Sequence, residues 1–392
     1  MSETPPPQAY ISKVHLKGYK SIKDLEIDFK PGLNIIIGPN GSGKTNFLEF
    51  IEEVDDSMYY DDLTNEEFDF KLIKSDGSEF YLNGRFSFYE NQYVFKINEK
   101  NIENGKNVFE RVFIHQGKKG DVSITNVKIN DEPSKYPEKH NPILYGIDFI
   151  KFENRYVNVL LESLSFNVKV SNENQLYFFS KKGLEDSLYN ILQDSIKELT
   201  DIDKVRFEMK IKSTDLVDNL NEFTPIKNIR IDNERIIESK SNGHYSFDNV
   251  FLQFLVNERW CYWKELSDGT KRLFYIFIKL LENEGDYIFF IEEPELGIHP
   301  DQLYDLMDFL QAQAKEKQII ITTHSPEVMN ILNKDELDRI IVTRFDKDKG
   351  TQMHKLSPHK IKKGQIYMKK VGYLSDFWVH SNLEEYEEQE AE

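Results

Sequence analysis

Apolar and polar residues alternate over residues 10–16 and 25–29, the period of strands with one buried face. Residues 33–37, apolar except for Asn34, read instead as a strand buried on both faces, and an amphipathic segment follows at 46–51. The short runs 68–73, 79–82, 85–89, 93–97, 108–114 and 122–124 are separated by Asp-Gly, Asn-Gly and Gly-Lys-Lys-Gly turns, which predicts an antiparallel sheet. Leu184, Leu188, Ile191, Leu192, Ile196 and Leu199 recur at helical spacing, so one amphipathic helix is expected over 183–200. Residues 205–211 and 226–231 alternate like strands. A buried helix over 273–281 then leads to a buried strand at 287–291. A helix through Leu303, Leu306, Met307 and Leu310 and a strand at 318–323 follow.

Strands alternating with helices imply a parallel sheet, so the two ends of the chain read as halves of one α/β domain with the middle inserted between them. The division expected is a disordered leader at 1–9, a first half at 10–53 and an antiparallel β lobe at 54–150. An α+β insert at 151–259, the second half at 260–345, an extension at 346–383 and an acidic tail at 384–392 complete it. No succession of heptads with apolar first and fourth positions occurs, which excludes a long coiled coil.

Composition narrows the setting. The chain has 392 residues, 39% hydrophobic and 30% charged, with no apolar run of the roughly eighteen residues that a membrane helix needs. One cysteine, Cys261, and a start without a basic and apolar leader point to the cytoplasm. The net charge of −18 disfavours general nucleic-acid binding, which depends on Lys and Arg releasing counterions. Any such contact requires a local patch such as Lys118-Lys119, Lys360 with Lys362 and Lys363, or Lys369-Lys370, and each reads more simply as a solvated face.

The chemistry is concentrated where the buried strands end. Gly38-Pro39-Asn40-Gly41-Ser42-Gly43-Lys44-Thr45 matches the phosphate-binding pattern Gly-x4-Gly-Lys-Ser/Thr, between a strand and a helix as that chemistry requires. Backbone amides would cradle phosphate, Lys44 would reach the β and γ phosphates of a nucleotide, and Thr45, followed by Asn46, would hold Mg2+. Glu292-Glu293-Pro294-Glu295 closes a buried strand. Adjacent residues leave a strand to opposite sides, so Glu292 is assigned to metal and Glu293 to the attacking water. Ser267-Asp268-Gly269 precedes the buried helix and reads either as its cap or as an anion site. His324 ends the strand at 318–323, on the edge where ligands bind in parallel sheets.

GPNGSGKT, LSDGTKR, FFIEEPELGIHP and TTHS, in this order, resemble the ATPase head of the ABC superfamily, nearest its branch of SMC, RecF and OLD-type proteins. The likeness covers residues 10–53 and 260–345. It implies a homodimer with two ATP molecules at the interface, each held by the phosphate loop of one copy and by Ser267 and Gly269 of the other. It further implies Glu293 as the catalytic carboxylate, His324 as the switch at the γ-phosphate, residues 295–299 at the dimer contact and a glutamine metal ligand, for which Gln116 is the candidate. SMC proteins carry a coiled coil and OLD nucleases a Toprim domain; no coiled coil is visible here, and the residues after Arg344 show no convincing acidic metal-binding constellation. The resemblance therefore implies a stand-alone OLD-like ATPase controlling a separate nuclease or toxin, in anti-phage defence or DNA repair. The other readings are an ATP-gated scaffold, a transporter subunit, and a nuclease within the chain itself.

Overall fold

A computed structural model describes residues 9–57, 66–74, 77–89, 92–101, 107–116, 122–129, 132–133, 147–150, 164–170, 176–180, 214–232, 237–241, 244–282 and 287–380. The chain opens with strands β1 (Tyr10–Tyr19), β2 (Ile22–Asp28) and β3 (Leu33–Ile37), then helix α1 (Lys44–Ser57). Strands β4 (Glu67–Ile73), β5 (Glu79–Tyr89), β6 (Gln92–Asn101), β7 (Asn107–Gln116), β8 (Val122–Ile129), β9 (Glu132–Pro133) and β10 (Ile147–Ile150) follow. The middle contributes β11 (Leu164–Val170), β12 (Leu176–Ser180), α2 (Thr214–Phe223), β13 (Ile226–Asp232), β14 (Ile237–Ser241), β15 (His244–Val256) and β16 (Arg259–Tyr262). Helix α3 (Asp268–Glu282), β17 (Ile288–Glu292), α4 (Pro300–Gln313), β18 (Gln318–Thr323), β19 (Ile340–Asp346), β20 (Gly350–Lys355), α5 (Pro358–Lys370) and α6 (Leu374–His380) complete it.

The chain divides into two compact units. The first, residues 1–150, 285–295 and 310–392, is built on a sheet of 14 strands in the order β10-β17-β18-β3-β19-β20-β2-β1-β4-β5-β6-β7-β8-β9. From β10 to β19 neighbouring strands are parallel, and from β19 onward they are antiparallel. Burial follows that change: β3 and β18 are buried at every position, whereas β4 alternates. The antiparallel strands expected as a lobe thus continue the parallel core within one sheet. The Asn83-Gly84 pair, expected as a turn, lies inside β5. A Cβ on Gly84 would come within 2.3 Å of the Phe68 ring, so the glycine makes room for that ring across the strand pair. At Gly77, φ is +80° and the backbone N–H donates to Lys74 O, so the turn expected there forms.

Helix α1 contributes Phe47, Leu48, Phe50, Ile51 and Val54 to the core of this unit. Tyr19 stacks on Phe50 at 4.8 Å between centroids. Two buried amides interrupt the apolar interior. Gln318 accepts from Ile11 N at 2.8 Å and donates to Ile11 O at 2.9 Å and Lys30 O at 3.0 Å. Asn34 accepts from Lys30 N and donates to Lys30 O and Gly32 O. Both amides are thereby hydrogen-bonded to backbone.

The second unit, residues 151–284 and 296–309, holds a six-stranded sheet around β15. The first part of β15 pairs with β11 and β14, the second with β13 and β16. Phe254, Trp263 and Phe274 pack together, and Phe277 stacks on Phe309 at 3.8 Å. The expected helix at 183–200, the strand at 205–211 and Lys118-Lys119 lie outside the described residues. Among the described residues the longest helix is α3 with 15 residues, so no long coiled coil is present, and no helix is long and apolar enough to cross a membrane. In the basic stretch of α5, Lys360 is buried while Lys362 and Lys363 are exposed, so the solvated face expected there excludes Lys360.

Candidate functional site

β3 ends at Ile37, the Gly-rich loop follows, and α1 starts at Lys44. Gly41 and Gly43 have φ of +78° and +101°, a backbone that L side chains rarely adopt. A Cβ on Gly43 would lie 1.9 Å from Thr351 Oγ1 and one on Gly38 2.2 Å from Thr343 O, so the loop backbone rests directly on β19 and β20. Lys44 is only 6% exposed, and its Nζ donates to Gly38 O at 2.7 Å and Pro39 O at 3.1 Å. Burial pulls its pKa down, opposed by the carboxylates of Glu293, Glu295 and Glu292. Ser42 Oγ is buried with no hydrogen-bond partner among the described residues. Asn46 donates to Ser21 Oγ at 2.6 Å, and that hydroxyl also meets Thr351 Oγ1 at 2.7 Å.

β17, β18 and β3 are adjacent and parallel, so Glu292, His324 and Gly38 all fall at their C-terminal edge, where α/β sheets place ligands. Thr45 Oγ1 donates to Glu292 Oε1 at 2.7 Å. Glu293 has φ of +43°, in the left-handed region, and its N–H donates to Thr322 O at 2.8 Å. A non-glycine residue held there stores backbone strain, a feature that gathers at functional sites. Its Oε1 lies 3.2 Å from His324 Nδ1. Behind this pair, buried Glu295 accepts from Thr323 Oγ1, and burial raises the Glu295 pKa. A cavity of about 390 Å³ opens here, lined among others by Asn40, Gly41, Lys44, Thr45, Glu293 and Phe345.

These residues suit a nucleotide phosphate with Mg2+. Gly38 and Gly43 have no room for a side chain, a buried ammonium faces the loop, and one hydroxyl with one carboxylate matches the few protein ligands that Mg2+ takes alongside phosphate oxygens and water. Among the described residues no group of three or more His, Cys, Asp or Glu is arranged to hold a metal by itself.

Ser267 and Gly269 belong to the second unit. Ser267 Oγ accepts from Thr270 N at 3.2 Å, as an N-cap does. A Cβ on Gly269 would be 2.4 Å from Gly297 O, and Arg272 donates to Leu296 O at 2.7 Å, so this start of α3 lies against the 296–299 loop. Gln116 ends β7, eight positions from β3 in the strand order, and its side chain lies outside the described residues. The sequence reading missed Ser21, Thr351, Phe345 and the Glu295–Thr323 pair. Strand order alone brings the first three to the loop.

Fold and site together define an ABC-type ATPase head, with a phosphate loop, a strand-end acidic pair and a histidine after the next strand. The chain belongs to the family described as "AAA domain, putative AbiEii toxin, Type IV TA system", matched over residues 33–330. It is 25% identical to Septu protein PtuA of Bacillus thuringiensis over 369 residues, covering 88% of this chain and 78% of that one. It is 23% identical to Endonuclease GajA of Bacillus cereus over 355 residues, covering 84% of this chain but only 58% of GajA. A 41-residue stretch is 54% identical to the DNA replication and repair protein RecF of Desulfitobacterium hafniense, covering 10% of this chain and 11% of RecF. In fold it is similar to an SMC head crystallised with the C-winged helix domain of ScpA, with TM-score 0.51, 15% identity, and coverage of 90% of this chain and 99% of that one. The head is therefore of the SMC and OLD-like branch.

Proposed function

We propose that the chain is an Mg2+-dependent ATP hydrolase that dimerises around ATP and controls a separate effector, a nuclease or toxin, in anti-phage defence or DNA repair. The observation that carries this reading is the Glu293–His324 contact at the strand edge that also holds buried Lys44 and the Thr45–Glu292 pair. Catalysis is then mostly positioning. Loop amides and Lys44 hold the phosphates, Glu293 orients and deprotonates water, and His324 fixes the Glu293 carboxylate toward the γ-phosphate. Mg2+, held by Thr45 and Glu292, would neutralise charge on the phosphate oxygens. Ser267 and Gly269 of a second copy complete the site from the opposite side, with their cap geometry presenting the first amides of α3.

The effector assignment draws on the names of relatives, an endonuclease and a family described by a toxin. ATP turnover and size-exclusion chromatography test the proposal. Glu293→Gln is expected to lose at least about a hundredfold in turnover while accumulating an ATP-bound dimer, and Lys44→Ala to lose ATP binding. Turnover at the wild-type rate in Glu293→Gln would remove Glu293 from its role.

A further inference from the structure

Phe345 is 53% exposed, although it is an aromatic residue on a strand of the parallel core. Its position follows from register. β19 runs parallel to β3 and last pairs with it at Val342 opposite Ile37, the residue before the Gly-rich loop. β19 continues past that point, so Phe345 stands three residues, about 10 Å, beyond the strand edge and alongside the loop. On the antiparallel side it faces Thr351, whose Oγ1 abuts Gly43. The ring therefore lines the same cavity as Asn40, Gly41, Lys44 and Thr45, flanking the loop on the β20 side, while Glu293 lines it from β17.

Phosphate contacts cannot use such a surface. The cavity's lining among the described residues is polar or glycine apart from this one ring. An exposed phenyl face in water gains by covering itself with another flat, apolar π-surface, and a nucleoside triphosphate whose phosphates occupy the loop carries one at its other end. We propose that Phe345 is the platform on which the nucleobase stacks, which makes it the residue that distinguishes a nucleotide from a bare polyphosphate. This rests on the phosphate-loop reading above and adds the base end of the ligand. Stacking reads the face of a base, so it supplies affinity without choosing among hydrogen-bonding edges.

Calorimetric titration of the full chain with Mg-ATP and with magnesium tripolyphosphate tests the platform. Wild-type protein should bind ATP about tenfold or more tighter than tripolyphosphate. Phe345→Ala should lose about tenfold for ATP and less than about twofold for tripolyphosphate. Phe345→Trp should restore ATP binding and show indole fluorescence that ATP quenches and tripolyphosphate does not. Equal weakening of both ligands in Phe345→Ala would show that the ring merely supports the loop and would overturn the proposal, as would unchanged ATP affinity. Wild-type protein binding neither ligand would sink the phosphate-loop reading itself, and the platform with it.

Discussion

At the scale of single residues, the positions that matter are those where local preference is overridden. Lys44 is a cation kept almost out of water, held by two loop carbonyls and the carboxylates beyond them. Glu293 occupies a backbone conformation suited to glycine. Far from the loop in sequence, His354 on β20 is half-buried, and its pKa is pushed down to about 4 by burial and by Arg344 and Lys360. The unfolded chain therefore takes up a proton below the ordinary value of 6.5 that the native His354 refuses. Stability contributed this way is complete above 6.5 and falls as pH drops toward about 4. His354→Gln should accordingly lose less melting temperature than wild type between about pH 7 and 5. Identical acid sensitivity in the two would assign the effect elsewhere.

At the scale of elements, Gln318 ties the first residue of β18 to β1 and to the turn before β3 through three hydrogen bonds. Gln318→Leu leaves the Ile11 amide and carbonyl without these partners in a buried site, which costs about 3 kcal/mol. Urea denaturation measures this, and a loss under about 0.5 kcal/mol would show that Ile11 finds other partners. The elements legible in the sequence are those whose pattern is local. β3, β17 and β18 are short buried runs, α3 carries a run that is apolar nearly all round, and α4 has clear helical spacing. β10 was not legible, because four residues acquire strand identity only by pairing with β17 at a sheet edge. Asn83-Gly84 misled for the opposite reason. A strong local turn signal lost to Phe68, which needs the space above a glycine inside a strand. Lys44, Thr45, Glu292, Glu293 and His324 were legible because each belongs to a contiguous motif. Phe345 and Thr351 were not, since only the sheet order places them by the loop.

At the scale of the whole molecule, the proposal makes the catalytic unit a pair of chains. Lys44→Ala and Ser267→Arg damage opposite halves of each composite site, so either variant alone should be inactive. Mixed in equal amounts, they form heterodimers with one intact site, and turnover should return to about a quarter of the wild-type value. No recovery on mixing would place Ser267 outside the site.

The strand order also fixes a sequence of events before any ligand arrives. β3 is flanked by β18 and β19, and these begin at Gln318 and Ile340, about three hundred residues later in the chain. A ribosome adding roughly 5–20 residues per second thus leaves both edges of β3 unpaired for tens of seconds. The strands made before then wait through that interval, and the pocket around the Gly-rich loop comes into being only once β18 and β19 have been made.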